Sequence, residues 1–281
     1  MDKKHAFCIM AYNNWSQLQK LINCIDDVRN DIFLHVDAKS AKDFAKHKLN
    51  VSCASLHIID NPVSVWWSDI SLADAEVALF AHVINTNQSY HYVHLLSGTD
   101  MPLKNQDELH HYFKDRTEEF IQISFPQEFK KRLRYYHLFV RGRRSCKLVD
   151  YLRKSLLLPQ WFLVDRLNHS PLQYAYGSEW CSLTLPAIAE IVGKYNQYRY
   201  LFKKTTCCDE HYKQMILYSS RMNYHFAKEG NLRFVLFDKN SASPRVLSME
   251  DYENMLNSGC LFARKFKEKS EIFEKVLIKV R

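Results

Sequence analysis

Glycine is scarce in this chain, six in 281 residues, and neither GxGxxG nor GxxxxGK(S/T) occurs. Both motifs let backbone approach a phosphate at glycine, so the dinucleotide-fingerprint and P-loop readings lose their main support. The eight cysteines (Cys8, Cys24, Cys53, Cys146, Cys181, Cys207, Cys208 and Cys260) are scattered, with no CxxC pair and no dense framework. No apolar run approaches the ~20 residues that cross a bilayer. The short run that follows Met1, Asp2, Lys3 and Lys4 reads as a first strand rather than a signal peptide. The expectation is a cytoplasmic protein with reduced thiols. Zinc-finger spacing and RRM-like aromatic signatures are missing too, which leaves nucleic-acid binding without a motif.

What is present suits a globular enzyme. Hydrophobic residues make up 47% and charged residues 25%, enough for a sizeable core. Aromatic residues reach 14%, which suits a groove that stacks flat or ring-shaped ligands, although most such residues belong in a core. The formal charge is +8, from 39 Lys and Arg against 31 Asp and Glu. Such an excess points to an anionic partner: a phosphorylated ligand, an anionic membrane surface or nucleic acid.

Strand and helix signals alternate over the first 125 residues. Residues 5–10 read as a buried strand, and Asn14 or Ser16 caps a helix carrying Leu18, Leu21, Ile22 and Ile25 on one side. Residues 32–36 form a second strand, a short helix follows Ser40, and 56–59 form a third strand. Ser68 or Asp69 then opens a long helix, with Leu72, Ala75, Leu79, Phe80 and Val83 at helical spacing. Residues 92–96 are a fourth strand, 105–113 a helix and 120–125 a further strand. This alternation predicts an α/β fold with a Rossmann-type, mostly parallel sheet flanked by helices. Ligands of such sheets bind beyond the carboxyl ends of the strands, where Asp37 and Asp100 fall.

Further on, a helix follows Pro186, another grows out of 205–210 and runs through Ser219, 232–237 form a strand, and a helix begins near Ser248. No linker or repeat interrupts the chain. One domain is expected over 1–281, with a nucleotide-binding part at about 1–125 and an acceptor and catalytic part at about 126–281. The middle of the chain is basic: Lys130, Lys131, Arg132, Arg134, Arg141, Arg143, Arg144 and Lys147, with Tyr135, Tyr136 and Phe139 between them. It runs into an apolar stretch over 148–162 that ends in Trp161 and Phe162. A basic amphipathic stretch of this kind suits peripheral contact with an anionic membrane; a basic-faced helix packed on the sheet, or a lid, is the alternative.

Asp209 and Glu210 fall in the predicted first turn of a helix, where acidic residues complement the dipole. The run from Cys207 to His211 makes a poor metal site, because adjacent residues do not easily converge on one ion and no second ligand pair matches it. Ser243-Pro244-Arg245 and Leu261-Phe262-Ala263-Arg264-Lys265-Phe266 set cations beside apolar anchors, as a diphosphate clamp needs.

Taken together, these segments resemble the core-2/I-branching β-1,6-N-acetylglucosaminyltransferase family, which includes the peptide O-xylosyltransferases. The matching stretches are Ile9-Met10-Ala11-Tyr12, His35-Val36-Asp37-Ala38-Lys39-Ser40, Leu96-Ser97-Gly98-Thr99-Asp100-Met101-Pro102-Leu103-Lys104, Gly177-Ser178-Glu179-Trp180, Asp209-Glu210, Ser243-Pro244-Arg245 and the Leu261 to Phe266 run, in the family's order. The resemblance implies a GT-A-like fold, inversion at the anomeric carbon and no Asp-x-Asp metal motif. The near-match here, Asp74-Ala75-Glu76, lies inside the predicted long helix. It implies Glu210 as the catalytic base, with Arg245 and Lys265 on the donor diphosphate in place of a metal. Asp37 is expected near the uridine or ribose, Asp100 at a donor or acceptor sugar, and Gly177, Ser178 and Trp180 around the acceptor groove. Glu179 carries no assigned role.

The implied reaction moves a sugar, GlcNAc from UDP-GlcNAc, to the hydroxyl of a saccharide or lipid-linked saccharide in bacterial-type surface-polysaccharide synthesis. UDP-xylose or another UDP-hexose is also open, since Gly-Ser-x-Trp and Leu-Ser-Gly-Thr-Asp resemble the xylosyltransferase branch. A non-catalytic relative that binds saccharide or a membrane surface is the rival reading, and the retained Glu210, Arg245 and Lys265 argue against it.

Overall fold

The computed structural model of the chain describes residues 3–142, 146–239 and 241–280. Arg143 and Arg144 of the basic run lie outside the described residues. The first half contains β1 (Lys4–Ala11), α1 (Trp15–Ile25), β2 (Asn30–Val36), α2 (Ala41–Phe44), β3 (Ser55–Ile58), α3 (Ser71–Asn85), β4 (Tyr90–Ser97), β5 (Met101–Pro102) and α4 (Gln106–Phe113). The basic segment forms α5 (Gln127–Arg134), α6 (Lys147–Ser155) and α7 (Gln160–Leu163). The rest forms β6 (Ser182–Thr184), α8 (Leu185–Phe202), α9 (Tyr212–Tyr218), β7 (Arg233–Val235), α10 (Tyr252–Asn257), β8 (Phe262–Arg264) and α11 (Glu271–Val280).

The main sheet has the order β3-β2-β1-β4-β6. Its first four strands are parallel, and β6 adds antiparallel to β4 at the far edge. A second, three-stranded sheet has the order β5-β8-β7. The fold is therefore mixed α/β with a mostly parallel central sheet, as the alternation predicted. Strand β1 explains the two-sided core, because successive side chains point to opposite faces. Phe7 and Ile9 join one cluster with Leu18, Leu21 and Ile22 of α1 and Phe273 of α11. Ala6 and Cys8 join the other, with Leu79 and Phe80 of α3, Ile188 of α8 and Met215 of α9. Each such fully buried Leu, Ile or Phe side chain contributes about 1.5–3 kcal/mol.

Several expectations need correction. Residues 120–125 do not form a strand; only isolated bridges occur there, Phe120 to Ser182 and Ser124 to Tyr176. Between them the backbone of Gly177 presses onto the Gln122 carbonyl, and Pro126 cannot donate to a ladder. The long helix opens at Ser71 rather than at Ser68 or Asp69, because Ser68 takes a left-handed φ of 68°. Asn14 sits at the start of α1 but makes no side-chain cap. The strand expected over 232–237 shortens to β7, with Phe237 bridging Pro244. Strands β5, β6 and β8 and helix α11 are elements the sequence reading did not assign.

Helix α3 carries the strongest polar constraint. Glu76 and Lys213 of α9 form an ion pair with both side chains 0% exposed. Tyr212 donates to the same Glu76 oxygen at 2.7 Å, and Lys213 reaches back to the Asp209 carbonyl at 3.2 Å. Two residues earlier, Asp74 holds Arg199 of α8 at 2.7 Å and accepts from Tyr195 at 2.9 Å. The Asp-x-Glu near-match is thus committed to packing helices.

Removing one partner of a buried pair strands the other charge, whereas replacing both by apolar groups does not. Lys213→Met is expected to lower unfolding stability by about 3–5 kcal/mol in urea titrations. The double variant Glu76→Leu/Lys213→Met is expected to recover much of that loss.

Candidate active site

The floor of the site is formed where the parallel strands end. The Asp37 amide donates to the Ala11 carbonyl, joining the ends of β1 and β2, and Gly98 donates to Met10 just past β4. A Cβ at Gly98 would lie 3.3 Å from that of Ala11, so this close approach favours glycine. Asp37 lies at the expected strand end. Its carboxylate accepts from the Lys39 amide at 2.9 Å and lies 3.1 Å from the Lys39 ammonium, which stands over the Trp66 ring. Asp100 is 1% exposed. Its two oxygens accept from the Ser97 hydroxyl at 2.6 Å and the Ser97 amide at 2.9 Å, closing the turn after β4.

Glu210 does not sit in the first turn of a helix. It ends a short 3-10 turn, Cys208–Glu210, and α9 begins only at Tyr212. The turn is entered through Cys207, whose φ of 53° is left-handed. A non-glycine residue in that region costs about 1–2 kcal/mol. The cost is offset by Ser68, itself left-handed, whose carbonyl and hydroxyl both accept from the Cys207 amide. The bracing fixes where the Glu210 carboxylate points.

That carboxylate meets Arg132 of α5 in an ion pair with both side chains about a quarter exposed, 22% for Arg132 and 28% for Glu210. Arg132 is stacked on Phe129, its guanidinium carbon 4.2 Å from the ring centroid, and lies 5.7 Å from the Tyr176 ring centroid. Burial raises the pKa of Glu210, the neighbouring Asp209 raises it further, and Arg132 pulls it back. Asp209 is pushed up to about 8 by burial and by the adjacent Glu179 carboxylate. Glu179 is pushed up to about 7, again first by burial, with Arg264 opposing. Glu179 thus adds to the proton affinity of Asp209, while Glu210 has the Arg132 guanidinium to oppose its own rise.

Arg264, at the end of β8, gathers the remaining expected residues. Its side chain lies 3.5 Å from Asp100 and 3.8 Å from Glu179, over the Trp180 indole at 4.1 Å. Trp180 is 6% exposed, so its ring serves as a platform for Arg264. Gly177 donates its amide to the Glu210 carbonyl at 2.9 Å, and Gln214 of α9 donates to the Ser178 carbonyl at 2.8 Å. The Gly-Ser-Glu-Trp segment thus packs directly against the Asp-Glu turn. Glu179, left without a role by the sequence, lies between the Asp209 carboxyl and Arg264.

Lys265 and Arg245 share a neighbouring strip of backbone, since the Leu247 amide donates to the Lys265 carbonyl at 2.9 Å. The Phe266 amide donates to Thr99 at 3.1 Å, which ties Lys265 to the Asp100 turn. Arg245 is held by Asp251, itself fixed by the Ser248 amide at 2.9 Å. Lys265 makes no ion pair among the described residues. Among the described residues, too, no group of three or more His, Cys, Asp or Glu side chains gathers as metal ligands.

One family model, that of the Core-2/I-Branching enzyme, matches residues 5–256, a stretch that holds this constellation apart from Arg264 and Lys265. The chain belongs to the Core-2/I-Branching enzyme family. It is therefore a glycosyltransferase with a GT-A-like fold, acting on a sugar donor and an acceptor. Among curated proteins, none matches the chain.

Within this Core-2/I-Branching enzyme, Arg132, Tyr176 and Arg264 are the site residues that sequence reasoning passed over. Arg132 was one cation among eight in a basic run, and it meets Glu210 across 78 positions, a pairing with no local signature. Arg264 stood inside a quoted motif without a role, although a cation next to an aromatic-rich run is the signal that could have flagged it.

If Glu210 acts as a base, its carboxylate form is the active one, so the rate falls as pH drops through its raised pKa. Arg132→Gln removes the group that opposes the rise. The acidic limb of the pH–rate profile is then expected to move to higher pH, measured by initial rates of nucleotide release. At Gly177 a Cβ would come within 1.9 Å of the Gln122 carbonyl oxygen. Gly177→Ala is expected to displace the Asp-Glu turn and cost more than about tenfold in rate, with unchanged secondary structure by circular dichroism.

Proposed function

We propose that the enzyme transfers a sugar from a UDP-sugar, with UDP-GlcNAc as the leading donor, to a saccharide hydroxyl by an inverting, metal-independent reaction in surface-polysaccharide or glycoconjugate synthesis. The observation that carries this reading is the Glu210 carboxylate, set on a braced turn, made more basic by burial and paired with Arg132, which opposes that rise. A sugar hydroxyl is a weak nucleophile, and a positioned carboxylate removes its proton as the oxygen attacks. The new bond forms between that oxygen and the anomeric carbon, and the bond to the diphosphate breaks on the opposite face. The configuration inverts, and UDP leaves with the bonding electron pair.

The leaving diphosphate gains negative charge, which Arg245 and Lys265 are suited to stabilise. Asp251 orients the Arg245 guanidinium, which keeps further N–H donors for phosphate oxygens. Engagement of Asp74 with Arg199 and of Glu76 with Lys213 supports a metal-free reading, because neither carboxylate is available to a cation. Asp37, at the end of β2, suits the uridine or ribose side of the donor. Trp180 and Asp100 act through Arg264, and Gly177 and Ser178 line the acceptor side of Glu210.

Glu210→Gln is expected to leave UDP-sugar affinity within a few-fold by calorimetry while transfer drops by about 100-fold or more. Arg245→Ala and Lys265→Ala are each expected to weaken donor binding and slow turnover together, by about 10–100-fold in rate. A panel of UDP-sugars, including UDP-GlcNAc and UDP-xylose, assayed in EDTA identifies the donor. Turnover lost in EDTA and restored by Mn²⁺ would contradict the metal-free mechanism.

A further inference from the structure

Helix α6 is amphipathic the wrong way round for a soluble surface. Leu148, Tyr151 and Leu152, at helical spacing, are 64%, 69% and 46% exposed. The opposite face turns polar groups inward: the Arg153 side chain is 10% exposed, bonds Asp150 at 2.8 Å and lies 3.4 Å from His137. The apolar surface continues through Leu158, Trp161, Phe162 and Leu163, the last two 89% and 84% exposed. A contiguous patch of large apolar side chains marks an interaction surface rather than scatter.

Charge decides the kind of partner. Residues 130–166 carry eleven Lys or Arg against only Asp150 and Asp165, an excess larger than the +8 of the whole chain. Lys154 and Arg141 of this segment pair with Asp150 and Asp69 yet keep side chains 67% and 62% exposed. Beside it lies a cleft of about 530 Å³ walled by Ile70, Leu138, Phe139, Val140 and Val149, with Arg141 and Lys204 at its edge. A second copy of the chain would set two such basic segments against each other, which electrostatics opposes. Apolar rings and leucines ringed by cations fit a surface with an apolar interior and anionic headgroups.

We propose that α6 and α7 dock this enzyme on an anionic lipid bilayer, with Trp161, Phe162 and Leu163 entering the headgroup boundary and the surrounding cations engaging lipid phosphates. The surface is joined to the site. Gln160 of α7 bonds both the amide and the carbonyl of Tyr136, at 2.7 and 3.0 Å, and the Arg166 amide donates to Arg134, the last residue of the helix that carries Arg132. A docked bilayer therefore runs alongside the acceptor side of Glu210 and suits a lipid-linked saccharide. That last step rests on the transfer reaction proposed above, whereas the docking itself does not.

The test is flotation of the full chain with vesicles of equal phosphatidylglycerol and phosphatidylcholine, against phosphatidylcholine alone. Co-flotation with the anionic vesicles only, weakened by high salt, is expected. Phe162→Ser/Leu163→Ser is expected to lower that binding by more than about tenfold, while turnover on a water-soluble acceptor stays unchanged. Equal flotation with neutral vesicles, or wild-type flotation by the double variant, overturns the proposal. So does sedimentation showing a dimer that the double variant dissociates. A wild-type chain that floats with the anionic vesicles but turns over no UDP-sugar counts against the transfer reaction alone.

Discussion

The ion pair between Glu76 and Lys213 is the constraint on which the site depends. A fully buried ammonium and carboxylate tolerate no separation, because each charge alone would bear a desolvation penalty of several kcal/mol. Helices α3 and α9 are therefore locked in register. Lys213 also reaches the Asp209 carbonyl, so the same lock fixes the turn that holds Glu210. From there charge continues through Asp209 and Glu179 to Arg264, and from Arg264 to Asp100 at the end of β4. The Asp-Glu turn is thus referenced to the central sheet by electrostatics from two sides.

The second sheet supplies the other half of that frame. β8 lies between β5, which follows the Asp100 turn, and β7, and it ends in Arg264 with Lys265 next in the chain. One short strand consequently carries both the cation that organises the carboxyls and the cation suited to a diphosphate. The division of labour follows from exposure. Arg264 is spent on buried partners, while Lys265 keeps its ammonium unpaired among the described residues. Arg245 stands between these cases, oriented by Asp251 yet with donors to spare.

Much of this was legible in the sequence where the signal was local. The runs in β1, β2 and β4, the helical spacing of Leu72, Leu79 and Val83, and the strand-end positions of Asp37 and Asp100 are encoded in adjacent residues. The strand expected at 120–125 failed because an apolar run says nothing of its partner. Gly177 crosses it at Gln122 and leaves only isolated bridges. The three-residue strands β6, β7 and β8 are too short for a periodicity signal, and they are strands only because β4, β5 and β8 offer edges to β6, β8 and β7 in turn.

The sequence by itself determined the family, the parallel core and the order of the motifs, because those are properties of neighbouring residues and of composition. Tertiary structure alone decided which charges meet. It drew Arg132 out of a basic run and set it on Glu210, turned Trp180 from an expected acceptor-groove aromatic into a buried platform for Arg264, and gave Glu179 a place between Asp209 and that guanidinium. Each of these depends on distances between residues far apart in the chain, and Coulomb energy and desolvation depend on such distances and on burial, which no local pattern records. The same holds for α6: its periodicity is visible in the sequence, but only packing decides that the apolar side faces out.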